Sequence, residues 1–118
     1  MSIYCLNISI STSSKEEIIN DIYNQKSISI AGCNVNTAVR SYFDKNLSEI
    51  INSHDYRIPD GYPLTWPINI SSRKNFSRLA GADIFDSLIE NDKTLKHFFI
   101  GGTEEVLEKM NRNIKKIN

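Results

Sequence analysis

With 118 residues, 40% of them hydrophobic, the chain holds material for one buried core and too little for two. Lys and Arg number 14 and so do Asp and Glu; with no net charge and no basic patch to attract a polyanion, a nucleic-acid-binding role is set aside. Cys5 and Cys33 match neither paired zinc ligands nor a secreted disulfide framework, and residues 1–7 interleave polar and apolar side chains instead of building a signal-peptide core. A reduced, cytoplasmic chain is expected, and since no apolar stretch approaches the roughly 20 residues that cross a bilayer, any membrane contact is peripheral.

Ile8 and Ile10 alternate with serines in a first strand-like piece. Ser14 and Glu17 then have the spacing that satisfies the first free amides of a helix, which runs to about Gln25 with Ile18, Ile19, Ile22 and Tyr23 on one face. Residues 27–33 read as a strand ending at Asn34, and residues 37–43 and 47–53 as helices joined through residues 44–46. A brief strand over residues 56–58 stops at Pro59, so that Asp60-Gly61 forms a turn at its exit. Residues 62–77, with two prolines and the only tryptophan, show no sustained period and read as irregular structure over a site. Residues 82–90 read as a helix, 96–100 as a strand, Gly101-Gly102 as a turn, and 103–116 as a helix buried through Val106, Leu107, Met110 and Ile114.

Alternating helices and strands predict an α/β, Rossmann-like fold: one domain over residues 1–118, with a largely parallel sheet and flanking helices. A strand, glycine turn and helix normally lead into a further parallel strand, so the domain is expected to be incomplete at its carboxyl end. The unpaired edge and apolar last helix favour self-association or instability.

Five residues carry candidate chemistry. A carboxylate at a strand exit, Asp60, is rigid and accessible enough to take a proton from a sugar hydroxyl, although Asp-Gly is also an ordinary turn pair. Gly61 completes that turn. The guanidinium of Arg78 suits the charge growing on a departing diphosphate, or else an ion pair with Asp83 or Asp86. Gly81, beside a helix start, permits close approach of an anion to backbone amides, or is a plain helix entry. Asn34 can hold a sugar hydroxyl, orient Asp60, or cap the helix that follows. Metal hydrolysis at His54-Asp55 is discounted because His97 is the only other histidine, and Cys33, with no histidine near it in sequence, reads as buried strand packing.

Taken in order, these pieces resemble the WecG/TagA/CpsF family of bacterial glycosyltransferases, which includes the N-acetylmannosaminyltransferase of wall teichoic acid synthesis. The resemblance rests on the strand leading to Asn34, the helix with Asn46-Leu47-Ser48-Glu49-Ile50-Ile51-Asn52, the Pro59-Asp60-Gly61 turn, the stretch from Arg78 to Phe85, and Phe98-Phe99-Ile100-Gly101-Gly102. It implies Asp60 as general base, Asn34 positioning the acceptor or the base, and Arg78 near the donor diphosphate, with Gly61 and Gly81 lining the same substrate site. It further implies an inverting hexosyltransferase that takes N-acetylmannosamine or its uronic acid from a UDP-sugar. The acceptor would be a sugar on undecaprenyl diphosphate, reached from the inner face of the plasma membrane, and no metal or other cofactor would be needed. Family members often carry threonine where this chain has Gly32, and they extend further, with nucleotide-binding strands and a membrane-contacting tail. The chain is therefore expected to be the acceptor-side half, with a truncated, non-catalytic binding module as the alternative.

Overall fold

A computed structural model describes residues 2–25, 27–60 and 79–117. The chain divides into two compact units, residues 1–83 and 84–118.

The first unit opens with a hairpin. Strands β1 (Ser2–Cys5) and β2 (Ile8–Ser11) pair antiparallel with Cys5 opposite Ile8. The two residues between them, Leu6 at φ 46° and Asn7 at φ 67°, both lie in the left-handed region, as a two-residue turn between right-twisting strands requires. Asparagine tolerates that backbone and leucine does so less readily, which is why the turn gives no glycine signal in the sequence. Helix α1 (Lys15–Asn24) follows with the expected reciprocal cap: Ser14 Oγ accepts from Glu17 N at 3.2 Å and Glu17 Oε2 accepts from Ser14 N at 3.4 Å.

Strand β3 (Ile30–Cys33) then leads through α2 (Val35–Phe43) and α3 (Lys45–Asn52) to β4 (Tyr56–Pro59). β3 and β4 are parallel, so the helix pair is their crossover. The expected three-residue joint between the helices shrinks to Asp44 alone. Its amide closes α2 on Ser41 O, while its Oδ1 accepts from Leu47 N at 3.1 Å to open α3. Ile8, Ile10, Cys33, Ala38 and Ile51 form the core between hairpin, β3 and crossover.

Polar side chains fasten these layers. Asn52 on α3 accepts from Ser9 N and donates to Asn7 O, both at 2.9 Å. Arg57 sends its guanidinium back to the carbonyls of Ser9, Asn52 and His54, and its amide donates to Ser11 Oγ, seating β4 beside the hairpin.

In the second unit, helices α4 (Gly81–Asn91, whose first turn belongs to the first unit) and α5 (Glu104–Ile117) flank a groove of about 380 Å³ lined largely by apolar side chains, among them Phe85, Ile89, Met110 and Ile114. Gly101 and Gly102, at φ 114° and 74°, make the turn before α5 in backbone that favours glycine. Two expectations are corrected here. Residues 96–100 do not form a strand. Leu95, His97 and Phe99 are half-buried while Lys96, Phe98 and Ile100 are exposed, so the twofold period is real, but no strand among the described residues of this unit pairs with it. The segment is held by ring packing instead: Phe99 lies 5.4 Å edge-on from Phe85, and His97 stacks on Phe99. Secondly, α5 buries no residue: Leu107, Met110 and Ile114 are half-buried and Val106 is exposed. Its amphipathic pattern is present, but a unit of this size has too little partner surface to cover it.

The α/β class holds, with small two-stranded sheets among the described residues, of which the β3–β4 pair in the first unit is parallel.

Candidate functional site

The register of β3 on β4 is set at their amino ends. Asp55 Oδ2 accepts from both the amide and the hydroxyl of Ser29, at 2.8 and 3.1 Å, and Asp55 N donates back to Ser29 Oγ at 3.2 Å. These bonds hold the Asp55 carboxyl below the usual carboxylate range. From there the strands run in step, Ile30 against Tyr56 through Cys33 against Pro59, and Asp60 N donates to Cys33 O at 2.8 Å. Continuing that register by one residue sets Asn34 beside Asp60, on strands about 4.8 Å apart. Two of the residues singled out in the sequence thus follow directly on the carboxyl ends of adjacent parallel strands.

A third arrives through the chain that follows. Leu79 N donates to Pro59 O at 3.1 Å, bringing residues 79 and 80, and with them the start of α4 at Gly81, beside the end of β4. Asp83 Oδ2 accepts from Ala80 N at 2.9 Å, so a carboxylate already occupies this helix start where the sequence suggested room for an anion. Among the described residues nothing lies within 4 Å of a Cβ built at Gly81. Gly61 and Arg78, and the segment 62–77, lie outside the described residues.

Asp60 itself is half-buried, and its carboxylate stands over Gly32: a Cβ built on Gly32 would be 3.6 Å from Asp60 Oδ2. Asn34 is exposed and caps α2, its Oδ1 accepting from the amide and hydroxyl of Thr37 at 2.9 and 3.0 Å. Between them Cys33 is fully buried. Burial pushes its thiol up to about 11, an effect that the Arg57 guanidinium opposes and the Asp60 charge reinforces. The thiol is therefore protonated at neutral pH and is core packing, as expected, with no nucleophilic thiolate to offer. His54-Asp55 is also structural, the aspartate being committed to Ser29. No group of three or more His, Cys, Asp or Glu side chains able to hold a metal ion occurs among the described residues.

Sequence reasoning passed over Arg57 and the Ser29–Asp55 clasp, which together aim β4. The only local signal was a charged residue next to Ile58 in a short strand; its carbonyl partners are 3 to 48 residues away and have no mark in the sequence.

Asn34 and Asp60 follow directly on the carboxyl ends of two parallel strands, the end of the sheet at which α/β proteins commonly bind ligands. The sequence profile of the Glycosyl transferase WecG/TagA/CpsF family matches residues 3–117, and the chain belongs to that family, whose members are glycosyltransferases of cell-surface polysaccharide synthesis. Membership implies a sugar-nucleotide donor and a sugar acceptor. A search of curated proteins finds no match. No helix among the described residues is long and apolar enough to cross a membrane.

Proposed function

We propose that the chain is the acceptor-side part of an inverting glycosyltransferase domain, with Asp60 as general base. The acceptor sugar's hydroxyl gives its proton to the Asp60 carboxylate as its oxygen bonds to the anomeric carbon of a UDP-activated N-acetylhexosamine. The bond from that carbon to the diphosphate breaks on the opposite face, and UDP leaves with the electron pair. The transferred sugar is N-acetylmannosamine or its uronic acid. The acceptor is an undecaprenyl-diphosphate-linked sugar, met peripherally at the inner face of the plasma membrane. Asn34 positions the acceptor, Gly61 and Gly81 belong to the substrate site, and Arg78 serves it near the donor diphosphate. Arg78 adjoins Leu79 in sequence, and its guanidinium would stabilise the charge growing on the diphosphate without a metal ion.

The observation that carries this reading is the half-buried carboxylate of Asp60, in register with Asn34 beyond the last paired residues of β3 and β4, in a chain of a glycosyltransferase family. Positioned general bases contribute about 10² to 10⁴ in rate. Asp60→Asn preserves the shape and removes the base, so sugar transfer measured with a UDP-sugar should fall by that factor while the far-ultraviolet circular dichroism and melting curve stay in place. Wild-type turnover in the folded variant would remove Asp60 from this role.

A further inference from the structure

The carboxamide of Asn34 has a carbonyl end and an amine end, and the fold uses only the first. Its Oδ1 accepts from the Thr37 amide at 2.9 Å and from the Thr37 hydroxyl at 3.0 Å. The side chain cannot be turned over, because its N–H₂ would then face the Thr37 N–H, donor against donor. A carbonyl oxygen has two lone pairs, and these two bonds fill them. Asn34 is exposed, and among the described residues nothing accepts from its Nδ2. The Thr37 hydroxyl is not needed to start the helix. At α1 the equivalent residue, Glu17, reaches back to the Ser14 amide and satisfies a second backbone donor. At α2 the Thr37 hydroxyl goes instead to an oxygen that its own amide already bonds, and so satisfies no further backbone group.

What Asn34 offers a ligand is therefore hydrogen-bond donation alone. Asp60, which follows the neighbouring strand, is its complement, since an ionised carboxylate only accepts. A sugar hydroxyl does both. With hydrogen bonds of about 2.7–3.0 Å, one hydroxyl set between these residues can direct its proton to Asp60 while its oxygen accepts from Asn34 Nδ2. A carboxamide offering its oxygen there would compete with Asp60 for that proton. We infer that Thr37 is a positioning residue for the acceptor: by filling the second lone pair of Asn34 Oδ1, its hydroxyl holds the carboxamide as a pure donor. The Asn34–Asp60 pair then reads an acceptor hydroxyl by its oxygen and its hydrogen together. This rests on the assignment of Asp60 as the base.

The test compares the wild-type chain with Thr37→Val, Thr37→Ser, Asn34→Asp and Asp60→Asn. An alkyl N-acetylglucosaminide is titrated while the Asn34 side-chain N–H₂ resonances, assigned by their loss in Asn34→Asp, are followed by ¹⁵N NMR. Acceptor and donor KM are measured where transfer is detected. In the wild type these resonances should move on saturation. Thr37→Val keeps the shape and the backbone cap but not the hydroxyl, and should weaken glycoside binding about tenfold with the donor KM unchanged. Thr37→Ser restores the hydroxyl and should bind within about twofold of wild type. Asn34→Asp caps as well as asparagine, yet has no N–H₂ and should bind at least about tenfold more weakly. All the variants should stay folded, with melting temperatures within about 8 °C of wild type, the shift worth one neutral hydrogen bond. Wild-type affinity in folded Thr37→Val or Asn34→Asp would overturn the inference, as would Thr37→Ser binding as weakly as valine or a wild-type chain that leaves the Asn34 resonances unmoved. If Asp60→Asn transfers sugar at the wild-type rate, the base assignment falls. If that variant is dead and Thr37→Val binds like wild type, only the role of Thr37 falls.

Discussion

Tyr56, at the start of β4, donates its hydroxyl to Asp21 Oδ2 and so ties α1 to the strand that ends in Asp60. That bond stabilises the protonated phenol, burial and the nearby acidic groups act the same way, and the phenol is pushed up to about 12 from its ordinary 10.0. A folded value above the unfolded one means the contribution to stability is complete below pH 10 and is lost as pH rises toward 12. Urea unfolding midpoints of the wild type should therefore fall across that interval, and those of Tyr56→Phe should fall less. Equal slopes would show that Tyr56 does not couple ionisation to folding. At the same scale, the place of Asp60 at the end of a strand was legible in the sequence because a carboxylate after a strand-ending proline is a local feature. The neighbours that aim it were not. Arg57 and Asp55 act on partners far along the chain, and their residue types alone do not distinguish a clasp from a solvated charge.

Among the elements, the helices that announce themselves are those whose caps are local. Ser14 with Glu17, Asn34 before α2 and Thr103 before α5 all accept an amide three residues on, within the reach of a sequence reading. The extended segment at 95–100 shows the limit of such a reading. Alternation reports which side chains face inward, and a strand needs in addition a neighbour whose presence is decided elsewhere in the chain. Asn34 is a cap by its Oδ1, and by its register it lies next to Asp60, where the proposed function gives it a second task. Replacing it separates the two. Asn34→Ala should cost about 1 kcal/mol of unfolding free energy. Asn34→Ser should keep most of it, because serine also caps, yet remove the carboxamide N–H₂. If the carboxamide positions the acceptor, chemical denaturation will rank serine near wild type while sugar transfer ranks it near alanine. Full transfer in the serine variant would reduce Asn34 to a cap.

At the level of the whole molecule, the two units differ in how much apolar surface they bury. The described buried apolar side chains of residues 1–83 include Ile8, Ile10, Ile18, Cys33, Ala38, Ile51, Ile58 and Ala80, against Ile84 and Ile89 in residues 84–118. Local opening costs least where few apolar contacts must be broken. Hydrogen exchange should therefore be slowest at amides of β3 and β4 and at Asp60, whose N–H is bonded to Cys33 O, and at least about tenfold faster along α5. Uniform protection across both units would contradict this division. The family match runs over both units, so the less protected one is still part of what defines the family.

The stitches that hold the opening hairpin also fix when it can be built. Ser9 and Asn7 are bound by Asn52, and Ser9 and Ser11 by Arg57, across sequence separations of 43 to 48 residues. A ribosome releases the hairpin first, yet the partners that seat it emerge only after both crossover helices have been made. Ile8 and Ile10 must wait in water until then, so the unit is expected to close in one late step, with the amino terminus, though first made, among the last pieces to settle.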